Sequence, residues 1–195
     1  MKSETFSIKV NHKIKPFHKI IEVDSDKSLS IRSFLIGSIC QNISTVTNVL
    51  ESEDVLSTIQ ACRKLGVKIV KSKKGNYKIF GKGLGSFFAK KNTNLNFGNS
   101  GTLARLLLAL LATTPNIDVK VRGDNSLNKR NMRKLIELMS EFGATFMPKK
   151  KYHFPLRMIS SEMPIGIKYV AGVSAQLKSA VILAGMRTEG TTIIK

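Results

Sequence analysis

Tryptophan is absent from the 195 residues, aromatic side chains make up 7%, and cysteine occurs only at Cys40 and Cys62. Two cysteines in no CxxC or Cys/His spacing indicate neither a disulfide framework nor a zinc site, and they suit a reducing compartment. Sparse aromatics without an RNP-like motif offer little surface on which bases could stack, so specific nucleic-acid reading is not supported. No run approaches the ~18 unbroken apolar residues of a membrane span, and the opening MKSETFSIKVNHKIK holds no apolar signal core. The expectation is a soluble, cytoplasmic chain. No GxxxxGK[ST] loop is present, so nucleoside triphosphate chemistry by that route is unsupported.

Acidic residues are scarce as well. Lys and Arg number 32 against 13 Asp and Glu, a formal charge of +19. The partners are therefore expected to be anionic: a polyanion surface, or small phosphorylated and carboxylated molecules in concave sites. Several lysines fall in short clusters, Lys71, Lys73 and Lys74 or Lys149 to Lys151, that read as solvated loops. With 42% hydrophobic residues the chain can bury a real core, which argues against disorder.

An internal repeat organises the chain. DKSLSIRSFLIGSI, GNSGTLARLLLALL and GVSAQLKSAVILAG are similar, and for Arg32, Arg105 and Lys178 the differences 105 − 32 and 178 − 105 are both 73. Each segment passes from small or polar residues into an apolar run, as a helix with a polar N-terminus does. The same offset relates the β-favouring Thr45-Val46-Thr47, Asp118-Val119-Lys120 and Thr191-Thr192-Ile193. A second helix is predicted after Ser52 and again after Lys129, each ending at a glycine, Gly66 or Gly143. Beyond those glycines, two strands around a lysine-rich turn are predicted each time.

One unit is therefore strand, helix, strand, helix, strand, strand. Three complete units from about Asp24 would need roughly 220 residues, so the third is expected to be cut short. That expectation includes an unpaired last strand and uncovered apolar surface.

Lys27, Arg32 and Arg105 lie near predicted helix starts, where the macrodipole disfavours a cation by a few tenths to ~1 kcal/mol. An anion bound to the free N–H groups would offset this. In the competing view, Ser28, Ser100 and Ser174 are ordinary N-caps and the cations are solvated. A single segment favours that competing view; three in one register favour an anion site.

The segments DKSLSIR (Asp26 to Arg32), LESEDV (Leu50 to Val55), FGNSGTLAR (Phe97 to Arg105), GDNSLNKRNM (Gly123 to Met132) and SAQLKSAVILAG (Ser174 to Gly185) together resemble the enolpyruvyl transferases. Lys27-Ser28 in place of Lys-Asn, and no cysteine in a matching loop, favour the shikimate branch over the one acting on UDP-amino sugars. The resemblance implies an α/β (α+β) fold of two similar domains built from repeated βαβαββ units, with substrates in the cleft between them. Residues 1–23 would then join the second domain and 24–195 would form most of the first.

The implied reaction moves the enolpyruvyl group of phosphoenolpyruvate onto the 5-hydroxyl of shikimate 3-phosphate and releases phosphate. It runs by addition and elimination through a noncovalent tetrahedral ketal, with no metal and no cofactor. By resemblance, Lys27, Ser28, Arg32, Ser174, Ala175 and Gln176 would hold shikimate 3-phosphate. Lys27, Asn99, Gly101, Arg130 and Gln176 would hold phosphoenolpyruvate, with Lys27 the catalytic cation. Arg105 and Thr102 would support the turn at Asn99 to Gly101. The second domain would supply the acid/base carboxylates, a Lys and further arginines, so the chain alone is expected to lack turnover.

Three positions bear on this set. Asn131 stands where the family usually has Pro, which would loosen Arg130. Ala175 replaces a common Ser and removes a phosphate donor. Gly101 keeps room beside phosphoenolpyruvate, which implies competition by glyphosate in a full-length protein. A basic nucleic-acid-binding module and a regulatory fragment without chemistry are the alternatives.

Overall fold

The computed structural model describes residues 23–195 and the single positions 7, 9, 11, 18 and 20. The assignment of residues 1–23 to a second domain thus falls almost wholly outside the described residues.

The apolar runs that the repeat exposes become three long helices. The first unit contains α1 (Lys27–Ile39), β1 (Ile43–Val46), α2 (Glu53–Lys64), β2 (Lys68–Lys73) and β3 (Asn76–Phe80). The second contains β4 (Thr93–Asn96), α3 (Gly101–Ala112), β5 (Asp118–Arg122), α4 (Asn125–Lys129), α5 (Arg133–Glu141), β6 (Thr145–Met147) and β7 (Leu156–Ile159). The third contains β8 (Lys168–Tyr169), α6 (Ala175–Gly185) and β9 (Ile193–Ile194). The five-residue α4 was not foreseen, because a single turn carries no hydrophobic period. Gly66 and Gly143, at φ +86° and +96°, end the second helices in the left-handed region.

Each unit closes its own sheet: β1-β3-β2, antiparallel throughout; β4-β5-β7-β6, with only β4 and β5 parallel; and β8-β9, parallel. The last strand is therefore paired, contrary to the expectation of an unpaired one. Alternation explains the layering: in β5, Val119 and Val121 are buried while Asp118, Lys120 and Arg122 face out.

Helix α3 is apolar apart from Thr102 and Arg105, and it takes the centre, packed against α1, α5 and α6. Its neighbours are not covered as fully. Leu103 of α3 is 0% exposed, whereas Leu29, also three residues past its cap, is 68% exposed. Ile182 on α6 and Met186 at its C-cap remain half exposed, as expected for a unit with only one described helix.

The caps refine the repeat. Asp26, Ser100 and Ser174 are the N-caps of α1, α3 and α6, each accepting from the backbone N–H of a leucine three residues on, Leu29, Leu103 or Leu177. The differences 100 − 26 and 174 − 100 are both 74, one residue more than the sequence register. Arg32, Arg105 and Lys178 thus stand six, five and four residues past their caps, each turned about 100° from the next. They are not equivalent side chains, and Ser28 is not a cap. Similar residues at two adjacent offsets cannot be separated without the cap hydrogen bonds.

Candidate functional site

Helices α1, α3 and α6 carry no acidic residue in the first turn. One N–H of each start is taken by its cap, the Asp26 carboxylate at α1 and a serine hydroxyl at α3 and α6, so the α3 and α6 starts carry no opposing charge of their own. The site residues gather at two connected places around these starts.

The first lies at α3. Arg130, the C-cap of α4, donates through Nη2 to Asn99 Oδ1 at 3.0 Å. Arg105 donates through Nη1 to Gly101 O at 3.1 Å and to Gln176 Oε1 at 2.8 Å. Gln176 Nε2 donates to Thr102 Oγ1 at 3.0 Å. The N-terminal ends of α3 and α6 are therefore bound together through side chains from two units.

Gly101 is where both guanidinium groups converge. A Cβ there would stand 2.8 Å from Arg105 Nη1 and 2.9 Å from Arg130 Nη1, closer than real side chains approach. Burial, and then the charge of Arg130, push the Arg105 guanidinium below its ordinary value. Neither arginine forms an ion pair among the described residues. Two like charges beside a helix N-terminus make a ready seat for an anion.

The second place lies at α1. Lys27 Nζ stands 3.0 Å from Asp54 Oδ2 in the first turn of α2, and Arg32 Nη1 reaches Ser28 O at 3.4 Å. Ser57, one turn after Asp54, lies against Gly98, where a Cβ would come within 2.9 Å of its hydroxyl. The turn bearing Asn99 thus rests on the same end of α2 that holds Lys27.

Ser174 is engaged as a cap, Ala175 is exposed, and Lys178 is exposed on the surface of α6. A cavity of about 340 Å³ opens beside Ser174, lined by Arg105, Asn131, Arg133 and Lys134 among others, with no acidic residue in its wall. Asn131 has a role that the sequence hid: its Oδ1 accepts from Arg133 N–H at 2.8 Å and braces the α4–α5 link by a side-chain turn. Asp54 was also missed as the partner of Lys27, although the acidic run Glu51 to Asp54 was legible.

Fold and site together define an α/β domain of successive helix-and-strand units in which Lys27, Arg105 and Arg130 lie at or beside the starts of α1 and α3. The family profile of EPSP synthase (3-phosphoshikimate 1-carboxyvinyltransferase) matches residues 11–195, and the chain belongs to this family. It is 42% identical over 179 residues to a 3-phosphoshikimate 1-carboxyvinyltransferase of Oceanobacillus iheyensis, covering 91% of this chain and 41% of that protein. It is 41% identical over 181 residues to a protein of that name from Novosphingobium aromaticivorans, covering 92% and 40%. An EPSP synthase structure from Acinetobacter baumannii superposes with a TM-score of 0.82 at 37% identity, covering 90% of this chain and 39% of that one. The chain spans about two fifths of the length of these relatives. Among the described residues no helix is long and apolar enough to cross a membrane, and no cluster of His, Cys, Asp and Glu could hold a metal ion.

Proposed function

We propose that this chain forms one wall of a site that joins phosphoenolpyruvate to shikimate 3-phosphate, as the first-domain portion (24–195) of a 3-phosphoshikimate 1-carboxyvinyltransferase. The observation that carries the reading is the convergence of Arg105 and Arg130 on Gly101 at the α3 N-terminus, without an opposing carboxylate among the described residues. The remaining length of the relatives is the source we assign to the opposite wall.

In this reading Arg130, held by Asn99, receives the phosphate of phosphoenolpyruvate through charge-assisted hydrogen bonds, with Gly101 leaving the space and Gln176 at its edge. Shikimate 3-phosphate lies between α1 and α6, with Ser28 and Arg32 on one side and Ser174, Ala175 and Gln176 on the other. Lys27 reaches both molecules. Its ammonium stabilises negative charge on the oxygens of the tetrahedral intermediate, a role in which a fixed cation is worth more than a mobile one. Ala175 offers only its backbone N–H, so Ser174 must supply the hydroxyl.

Calorimetric titration of the chain with shikimate 3-phosphate tests this, with Lys27→Ala, Arg130→Ala and a short oligonucleotide as controls. Saturable binding is expected, weakened about tenfold or more by Lys27→Ala, the scale of one charged hydrogen bond. A folded chain that binds only the oligonucleotide, in a salt-sensitive way, overturns the proposal.

A further inference from the structure

Glu51 sits in the link between β1 and α2, and the β2–β3 hairpin occupies both of its carboxylate oxygens. Oε1 accepts from Gly75 N–H at 2.8 Å and from the Tyr77 hydroxyl at 2.9 Å, and Oε2 accepts from Lys71 Nζ at 2.8 Å. Val49 N–H adds a bond to Gly75 O at 2.9 Å. The other side of the link is tied to α1. Leu50 N–H donates to Ser30 Oγ at 3.1 Å, and the Ser30 hydroxyl donates to Asp26 O, the cap of α1, at 2.8 Å. The Tyr77 ring meets Phe34 of α1 edge-on, with centroids 5.2 Å apart.

This link runs directly into α2, whose own cap does little. Ser52 makes no side-chain cap bond, and its buried hydroxyl has no hydrogen-bond partner among the described residues. The start of α2 is thus set by what precedes it. In the first turn stands Asp54, 16% exposed, against the half-exposed Lys27. A lysine on a flexible stem keeps one position only when its partner is fixed, and a surface pair without such support contributes little.

We infer that Glu51 is the positioning residue for Lys27. By fastening residues 49–52 between the hairpin and α1, it sets Asp54 where the ammonium must meet it. The coupling is a property of the fold, and its consequence for substrate affinity rests on the role proposed for Lys27.

Competitive acylation of the full chain with a limiting succinimidyl ester reads the coupling directly, with Lys27 labelling measured by mass spectrometry relative to Lys120 and Lys168 on other sheets. Glu51→Gln is expected to raise Lys27 labelling at least about twofold, Tyr77→Phe to raise it less, and Glu51→Gln to add nothing once Asp54→Asn is present, since coupled residues are not additive. A merely structural Glu51 would lower stability and leave Lys27 labelling unchanged. Unchanged labelling in folded Glu51→Gln and Tyr77→Phe overturns the inference, as does an equal rise with and without Asp54. If Glu51→Gln does not fold, Tyr77→Phe, which keeps the ring against Phe34, decides alone. Titration with shikimate 3-phosphate separates the two readings. A wild-type chain that does not bind overturns the role proposed for Lys27 and not the coupling. Where it binds, weaker binding by Glu51→Gln supports the inference, and unchanged binding overturns its consequence for the site.

Discussion

Arg105 on α3 and Gln176 on α6, 71 residues apart in sequence, meet at 2.8 Å and join the second unit to the third. Gln176 also donates to Thr102, so one amide satisfies two partly buried groups of the neighbouring helix. Gln176→Ala removes both bonds and leaves a desolvated guanidinium with less support. The expected loss is about 1–2 kcal/mol of unfolding free energy, measured by urea titration at neutral pH. No change in the midpoint would mean that water replaces the amide at no cost.

Gly101→Ala tests the convergence of the two arginines. The added methyl would meet the tips of two flexible side chains and no backbone, so the fold is expected to survive with little change in melting temperature. The guanidinium groups must move, however, and calorimetry should show weaker binding of phosphoenolpyruvate. In a full-length protein the same space is expected to admit glyphosate in competition with phosphoenolpyruvate, and a glyphosate titration of that protein checks it.

Glu51 is expected to contribute an acid-sensitive part of the stability. The hydrogen bonds from Lys71, then Gly75 and Tyr77, hold its carboxyl down to about 2, below the ordinary 4.5. A carboxyl held low in the folded state stabilises the fold fully above its unfolded value. That contribution is lost as pH falls from about 4.5 to about 2. Urea titrations of wild type and Glu51→Gln are therefore expected to differ most at neutral pH and to converge toward pH 2. A difference that stays constant with pH would sink this assignment.

The two cysteines should separate by reactivity. Burial pushes the Cys62 thiol up to about 11, whereas Cys40 is partly exposed. At pH 8 a thiol reagent is expected to modify Cys40 readily and Cys62 only after denaturant is added. Rapid labelling of both in the native chain would show that α2 opens easily.

At the centre of the fold, Leu107 is fully buried within α3. Leu107→Ala is expected to cost about 2–5 kcal/mol, the usual penalty for a cavity in a packed core, as read by denaturant unfolding.

Much of this molecule was determined by the sequence alone. Period and composition were enough to place α1, α3 and α6, because an apolar run after a polar start leaves a chain few other options. The glycines that close α2 and α5 were equally plain, since a left-handed residue after a helix is a local requirement. Asn99, Gly101 and Arg130 could be nominated from short motifs. Only the tertiary structure decided which leucine-capping residue starts each helix, and so turned Arg32, Arg105 and Lys178 from one repeated cation into three different side chains. It alone gave Lys27 its partner Asp54, joined Arg105 to Gln176, and converted Asn131 from a missing proline into a brace for Arg133. The reason is physical. Helix and strand preferences act over a few neighbouring residues, whereas Lys27–Asp54 and Arg105–Gln176 join different helices and exist only once packing has fixed which helix ends adjoin. The caps and the Asn131 brace are local, but a repeat pattern does not say which of two neighbouring polar side chains takes the bond.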